Sequence, residues 1–596
     1  MKAKIYLSIV ITLLFSAGCY QVKKAESEVN SSLEDSKAQL FPITSKNLDS
    51  QETKSLIVNL ELLGKLWGFL KYHHPEVAKG NYNWDNELFK ILPQYIKADG
   101  TTQRDEILLQ WIEEYGAIPE CTTCKETSSD AVLKPDLSWI EQFSMSTVLK
   151  EKIREIYQNR HQGEHYYIKK HRDAGNPVFL NEDSYSYLNR IEAELRLLAL
   201  YRYWNMVQYF FPYKHLTDKN WNDVLKEYIP KFVLAETELA YQLAVLQLTG
   251  EINDTHAQLR GGDKIDSLRG DWQAPFGVRF IENRLVVVKK STLKKTAGLD
   301  IGDVITHING KSIEYIVDSI KIYYPASNEA VRLNNLANDL VRSTKNSITI
   351  DYISSDGMHR KAEQRLYDRK IMNSRNIIGK ESNDPEYKII RREDILVSTE
   401  QIGYVYIGRV ISDVSAMKEK FMNTKGIIID IRNYPYTSFL YSLGSYFASE
   451  DTPFAKFTVA NLQNPGEFTF NKAVKIINYS EGSINQSKDL YQGKLVVIVN
   501  EVTQSHAEFT AMVFRAGNNT TIIGSQTSGA DGNASFIVLP GGLTTVISGI
   551  GVYYPDGRET QRVGIIPDIE VRPTIQGIRE GRDELLEKAI EIIRQL

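Results

Sequence analysis

Ser505 has the surroundings a nucleophile requires. Lys494 to Val499 is a short β-branched apolar run, Asn500 to Gln504 is a polar turn, and Ala507 to Phe514 carries a helical pattern. Ser505 therefore stands where a helix begins after a buried strand, beside N–H groups without helical partners and the positive end of a helix dipole, a setting that suits an oxyanion. A serine hydroxyl is inert at neutral pH without a base, so the reading calls for a histidine. Thr255-His256, far upstream, supplies one. Each residue also has a plainer reading: Ser505 as an N-cap completed by Glu508 three residues on, and His256 as a satisfied buried histidine.

The elements that must bring these residues together are spread over a long chain. Its 596 residues, 42% hydrophobic, are enough for several cores and rule out a small binding module. With 71 basic and 75 acidic side chains the formal charge is -4, which gives no reason to expect a nucleic-acid partner. The N-terminal half repeats itself: Trp67, Pro75, Trp84 and Pro93 recur at one constant offset as Trp204, Pro212, Trp221 and Pro230. Apolar residues at helical spacing, punctuated by proline, make each copy a small helical unit, 51–150 and 186–262. The second runs on into Asn253-Asp254-Thr255-His256, whereas the matching position in the first copy is Pro119, so only one copy keeps a base. A charged connector, 151–185, holds His161 and His165 at i and i+4. Gly163 between them weakens a helix there, and the segment reads as solvated rather than metal-binding.

From Asp271 the texture changes to short strands. Phe276-Gly277-Val278, Ala297-Gly298-Leu299-Asp300-Ile301-Gly302-Asp303-Val304-Ile305 and Ile308-Asn309-Gly310 resemble a PDZ domain, 271–356, as bacterial processing peptidases carry. Gly302-Asp303 and Asn309-Gly310 are turn formers between alternating strands, and a small sheet with an open edge can accept a peptide as an added strand or serve only as a spacer. Residues 386–575 then alternate strands and helices (GYVYIG, KGIIIDIR, KLVVIVN, TTIIGS), as expected of an α/β layer with a buried sheet, and 576–596 close with a helix.

Ser505-His506-Ala507-Glu508, Asp430-Ile431-Arg432-Asn433 and Gly564-Ile565-Ile566-Pro567-Asp568, in this order, resemble the C-terminal processing (tail-specific) serine peptidases. The resemblance covers about the last 320 residues, with the helical region similar to the family's N-terminal cap. It implies a multidomain α+β fold with a crotonase-like ββα catalytic core, peptide or unfolded protein substrates, and neither cofactor nor metal. One branch of the family takes a lysine some 25 residues after the serine; here that turn reads Thr527-Ser528-Gly529-Ala530-Asp531-Gly532, without lysine. Thr255-His256-Ala257 instead resembles the tricorn-core branch, whose upstream histidine follows a hydroxyl residue and is completed by a late glutamate. The resemblance implies His256 as general base, oriented by Thr255 and an acid. The family glutamate falls near Gln561, while the nearest carboxylate is Glu559, and on a strand both face one side. The implied oxyanion donors are the N–H of His506 and one from the loop after Asp430. That loop reads Asn433-Tyr434-Pro435-Tyr436-Thr437 where the family has Asn-x-Gly-Gly; Pro435 has no N–H, which leaves Tyr436 or Thr437. The expectation is a serine endopeptidase, with a weak or inactive peptide-binding relative of the same fold, or an esterase, as the competing readings.

At the N-terminus, Lys2 and Lys4, the apolar run Ile5 to Phe15 and Ser16-Ala17-Gly18-Cys19 resemble a bacterial lipoprotein signal, with Ser16 where leucine is usual. Residues 20–50 have a tether's composition, and no later segment reaches the roughly 18 apolar residues of a spanning helix. The expected location is the cell envelope outside the cytoplasm, on either membrane face, held by lipid on Cys19. Cys121 and Cys124 read as a local disulfide or two free thiols and receive no catalytic role.

Overall fold

The computed structural model describes residues 41–291, 294–374, 387–390, 401–408, 414–435, 443–444, 446–449, 451–476 and 490–595. The signal segment with Cys19, most of the tether, and Tyr436 with Thr437 lie outside them. The architecture is mixed α+β in several parts. Among the described residues no helix is long and apolar enough to cross a membrane.

The helical region is built on α1 (Gln51–His73), α2 (Trp84–Ile96), α3 (Ala193–Phe210), α4 (Trp221–Val233) and α5 (Glu238–Gly250). α1 and α3 are buried almost all round, as a central helix must be when apolar residues are not confined to one stripe. The recurring tryptophans have a physical reason. The Trp67 indole donates to the Trp84 carbonyl at 3.1 Å and the Trp84 indole to the Trp67 carbonyl at 2.9 Å; Trp204 and Trp221 make the same exchange at 2.8 and 3.1 Å. Each pair buries two large rings and satisfies both N–H groups. The connector is more buried than its charge suggests. A helix, Thr147–Gln158, covers its first residues and stops before the histidines, His161 is buried with Nε2 2.8 Å from the Glu164 carbonyl, and burial pushes the His165 pKa down to about 3. Cys121 and Cys124 are joined as a disulfide.

The strand-rich module is an antiparallel sheet in the order β5-β4-β3-β2-β1, from β1 (Phe276–Ile281), β2 (Arg284–Lys290), β3 (Val304–Ile308), β4 (Ser347–Ile353) and β5 (His359–Arg365), with α6 (Glu329–Leu340) packed on the edge strand β1. It runs past the expected boundary at 356, because β5 pairs with β4 from His359↔Ile353 to Arg365↔Ser347.

The C-terminal region is organised by a sheet in the order β6-β7-β8-β9-β10-β13: β6 (Tyr387–Ile390), β7 (Ile402–Tyr406), β8 (Gly426–Asp430), β9 (Lys494–Val499), β10 (Thr520–Gly524) and, last in the chain, β13 (Ile569–Glu570). All pairings except β6 with β7 are parallel. β8 and β9 are buried on both faces, which is why they read as unbroken apolar runs rather than alternating ones. One face packs on α7 (His506–Arg515), the other on α8 (Glu584–Arg594). A separate hairpin of β11 (Ala534–Leu539) and β12 (Leu543–Ser548) lies against the helical region: Arg260 pairs with Thr544, and Arg202 donates to the Val538 carbonyl at 2.9 Å. This hairpin carries the C-terminal region to the loop that holds His256.

Candidate active site

The turn after β9 is shaped by its own side chains. Asn500 Oδ1 accepts the Val502 N–H at 3.1 Å, and Thr503 Oγ1 accepts the Asn500 N–H at 3.1 Å while donating to the Ile431 carbonyl at 2.8 Å. Asx and hydroxyl bonds of this kind let the chain reverse without a ladder. Ser505 ends the turn at φ 57°, ψ −121°, a backbone conformation costly for a residue with a Cβ. Surrounding bonds hold it there. Its N–H donates to the Ala530 carbonyl at 3.0 Å and to Glu508 Oε2 at 3.1 Å, and Glu508 also accepts from the N–H groups of Gly529 and Ala530 at 2.8 and 3.1 Å and from the Thr527 hydroxyl. Burial pushes the Glu508 pKa up, against these donors. Glu508 therefore ties the 527–530 turn to the serine turn. His506 opens α7, so its N–H belongs to the first turn, where helical partners are missing, and burial keeps its ring neutral by lowering its pKa.

His256 sits on the loop after α5. Asn253 at φ 51° turns the chain so that Asp254 Oδ1 accepts the His256 N–H at 3.0 Å. Asp254 is fully buried, lies 3.4 Å through Oδ1 from His256 Nδ1, and accepts the Ser548 N–H through Oδ2 at 2.7 Å; Ser548 Oγ is 2.9 Å from the same Nδ1. Burial works against the imidazolium, yet the hydrogen bond and charge of Asp254 outweigh it and hold the His256 pKa above its ordinary value. Burial likewise opposes the Asp254 carboxylate, and the bond to His256 nonetheless holds its pKa below the usual range.

Ser505 and His256 line one cavity of about 1100 Å³, together with His506, Tyr434, Phe457 and Asp531. No direct hydrogen bond joins the two side chains. With Nδ1 engaged by Asp254 and Ser548, the Nε2 edge of His256 is the one left for the cavity.

Other expected residues stand elsewhere. The Glu559 carboxylate is bound by His215 Nε2 at 2.7 Å, away from the His256 ring, whose bonds go to Asp254 and Ser548. Gln561 is buried with both side-chain polar atoms unpartnered. Thr255 does not bond the ring. Its hydroxyl donates to Ser327 Oγ at 3.1 Å and accepts the Ser327 N–H at 2.9 Å, while Asn328 donates to the Thr527 and Ser528 carbonyls at 2.9 and 3.1 Å. The segment leading into α6 thus fastens the His256 loop to the 527–528 turn. Of the two residues expected at the oxyanion, His506 opens α7 and lines the same cavity as Ser505, and Tyr436 lies outside the described residues. The Asp430 motif is structural: Arg432 bonds Asp430 at 3.0 and 2.7 Å and Asp583, which caps α8, at 3.0 and 2.6 Å. Asp254 was detectable in the sequence, because Asp-x-His after a turn-forming Asn is an Asx-turn pattern that folds the carboxylate back on the histidine. Ser548, 292 positions from its partner, left no such signal.

The model of peptidase family S41 matches residues 401–571. No curated protein matches the sequence significantly. Among solved structures, a crystal structure of a CPAF point mutant aligns with TM-score 0.52 at 14% identity, over 68% of this chain and 98% of that one. Mature CPAF aligns with TM-score 0.50 at 13% identity, over 68% and 97%. A putative peptidase from Parabacteroides merdae aligns with TM-score 0.40 at 19% identity, over 67% and 96%. The CPAF alignments mark a shared fold.

Proposed function

The chain carries a peptidase family S41 domain, a serine-type peptidase, and from that premise we propose an endopeptidase that cleaves peptide or unfolded protein substrates through an acyl-enzyme at Ser505. The carrying observation is His256, held at Nδ1 by buried Asp254 and Ser548 on the rim of the cavity that Ser505 also lines. His256 Nε2 takes the hydroxyl proton as Ser505 Oγ attacks the scissile carbonyl, and Asp254 stabilises the imidazolium that forms. The tetrahedral oxyanion is met by the His506 N–H. The C–N bond breaks as His256 returns the proton to the departing amine, and water releases the acyl group by the same route in reverse. Approach of His256 to Ser505 on substrate binding completes the dyad, since such bonds often tighten only in the complex.

The strand-rich module is a PDZ-like domain whose edge strand β1 receives an extended segment of the substrate. Cys19 carries lipid, so the enzyme works in the cell envelope outside the cytoplasm. A fluorophosphonate probe tests the central reading. Labelling that disappears in both Ser505→Ala and His256→Ala is expected; a wild-type protein that takes no Ser505-dependent label overturns the peptidase and leaves a peptide-binding relative of the same fold.

A further inference from the structure

Asp531 has a position that the mechanism above does not use. It is 3% exposed, lines the cavity that holds Ser505 and His256, and follows Ala530, whose carbonyl accepts the Ser505 N–H. Its Oδ1 accepts the Gly532 N–H at 2.7 Å, and its Oδ2 is a buried oxygen with no partner. An ionised carboxylate left in that state would carry a large desolvation cost. Burial pushes the Asp531 pKa far up, and the Glu508 carboxyl nearby pushes the same way. Tyr213 from the helical region and Tyr554 from beyond the hairpin also feel its charge, and neither is cationic. The same cavity is lined by His256, His506, Asp173 and Lys472, and burial lowers the His506 pKa. In the acid form the bookkeeping closes: the carbonyl oxygen is spent on Gly532, and the hydroxyl is a donor without an acceptor.

We propose that Asp531 is a substrate-contacting residue whose carboxylic acid donates a hydrogen bond from Oδ2 to a carbonyl oxygen of the chain bound beside Ser505. This rests on the peptidase reading. The bond is made to the backbone, so it selects no side chain, and it adds a donor to a cavity whose Tyr434-Pro435 stretch includes a proline that supplies none. A carboxylic acid kept neutral by its site is a competent donor at neutral pH.

The test measures the rate of Ser505 labelling by a fluorophosphonate, whose phosphoryl oxygen stands in for the substrate carbonyl, in wild type, Asp531→Asn and Asp531→Ala between pH 5 and 9. Asp531→Ala is expected to label roughly tenfold more slowly, the worth of one neutral hydrogen bond. Asp531→Asn keeps a donor and is expected to stay within about threefold of wild type. Wild type should slow as pH rises and Asp531 ionises, and Asp531→Asn should not. Infrared difference spectra of wild type minus Asp531→Asn should show an unionised carboxyl band at pH 7 that fades together with the labelling rate as pH rises. Asp531→Ala labelling as fast as wild type overturns the contact, and no carboxyl band at pH 7 overturns the donor. Selective loss of cleavage after basic side chains in Asp531→Asn overturns it in favour of an ionised acid that binds cations. If wild type itself takes no label, the peptidase reading fails, while the infrared band still decides whether Asp531 is the acid.

Discussion

Asp254 and His256 are joined twice: the backbone N–H of His256 donates to Asp254 Oδ1 at 3.0 Å, and the same oxygen lies 3.4 Å from the ring's Nδ1. The carboxylate on the His256 ring thus comes from the same loop, two residues away, and not from the 559–561 segment beyond β12, which is a bridge and a turn rather than a strand. Its other oxygen is fixed by the Ser548 N–H, so the hairpin of the C-terminal region locks the acid while the helical region provides it.

Asp254→Asn should lower kcat/KM by at least about 100-fold, since loss of the charge leaves the imidazolium uncompensated. It should also move the acid limb. With Asp254 in place the His256 pKa lies above its ordinary 6.5, so wild-type activity should rise through that raised value as His256 becomes neutral. Without the charge, burial is opposed only by the more distant Glu508 carboxyl, and the limb shifts to lower pH. A kcat/KM profile with an unmoved limb would contradict the assignment.

Stability should follow the same pair. The folded His256 pKa is raised, so its contribution is present below the unfolded pKa and disappears as pH rises through the folded one. The folded Asp254 pKa is depressed, so its contribution is present above the unfolded pKa and disappears as pH falls through the folded one. Denaturant midpoints should therefore show a term from this pair that is greatest between the two limits and missing in Asp254→Asn.

Glu559→Gln should leave kcat/KM within about threefold of wild type, because its carboxylate serves half-exposed His215, and half-exposed pairs contribute little. A hundredfold loss would restore Glu559 as the acid.

The contrast shows what was readable. The Ser505 turn was legible because its signals are local: an apolar run buried on both faces, polar turn formers, then helical spacing. His256 was legible from the unequal repeat. Likeness to a late glutamate points to Glu559 and Gln561, whereas the carboxylate that meets the His256 ring belongs to the Asx turn of Asn253-Asp254-Thr255-His256. Ser548 and Ser327 act through contacts set by tertiary docking of the hairpin and of the segment before α6, and no spacing encodes those.

Arg432→Ala should destabilise the protein by about 3 kcal/mol, the scale of breaking a buried pair and leaving one charge alone. Asp430 is 2% exposed and depends on this guanidinium, and Asp583 is joined to the same group while capping α8. Lysine should not rescue it, because one ammonium cannot make the two-pronged bonds to both carboxylates. Thermal denaturation of both variants checks this.

Ser505→Gly should unfold at a higher temperature than Ser505→Ala. At φ 57°, ψ −121° a Cβ is strained and glycine is not, and relief of such strain amounts to about 1–3 kcal/mol. Both variants lack the hydroxyl, so both should lose Ser505-dependent labelling, and the difference between them isolates the backbone. Equal melting temperatures would mean that Ser505 carries no conformational cost at the head of α7, and the tight bonding of its N–H to Ala530 and Glu508 would then be needed for geometry alone.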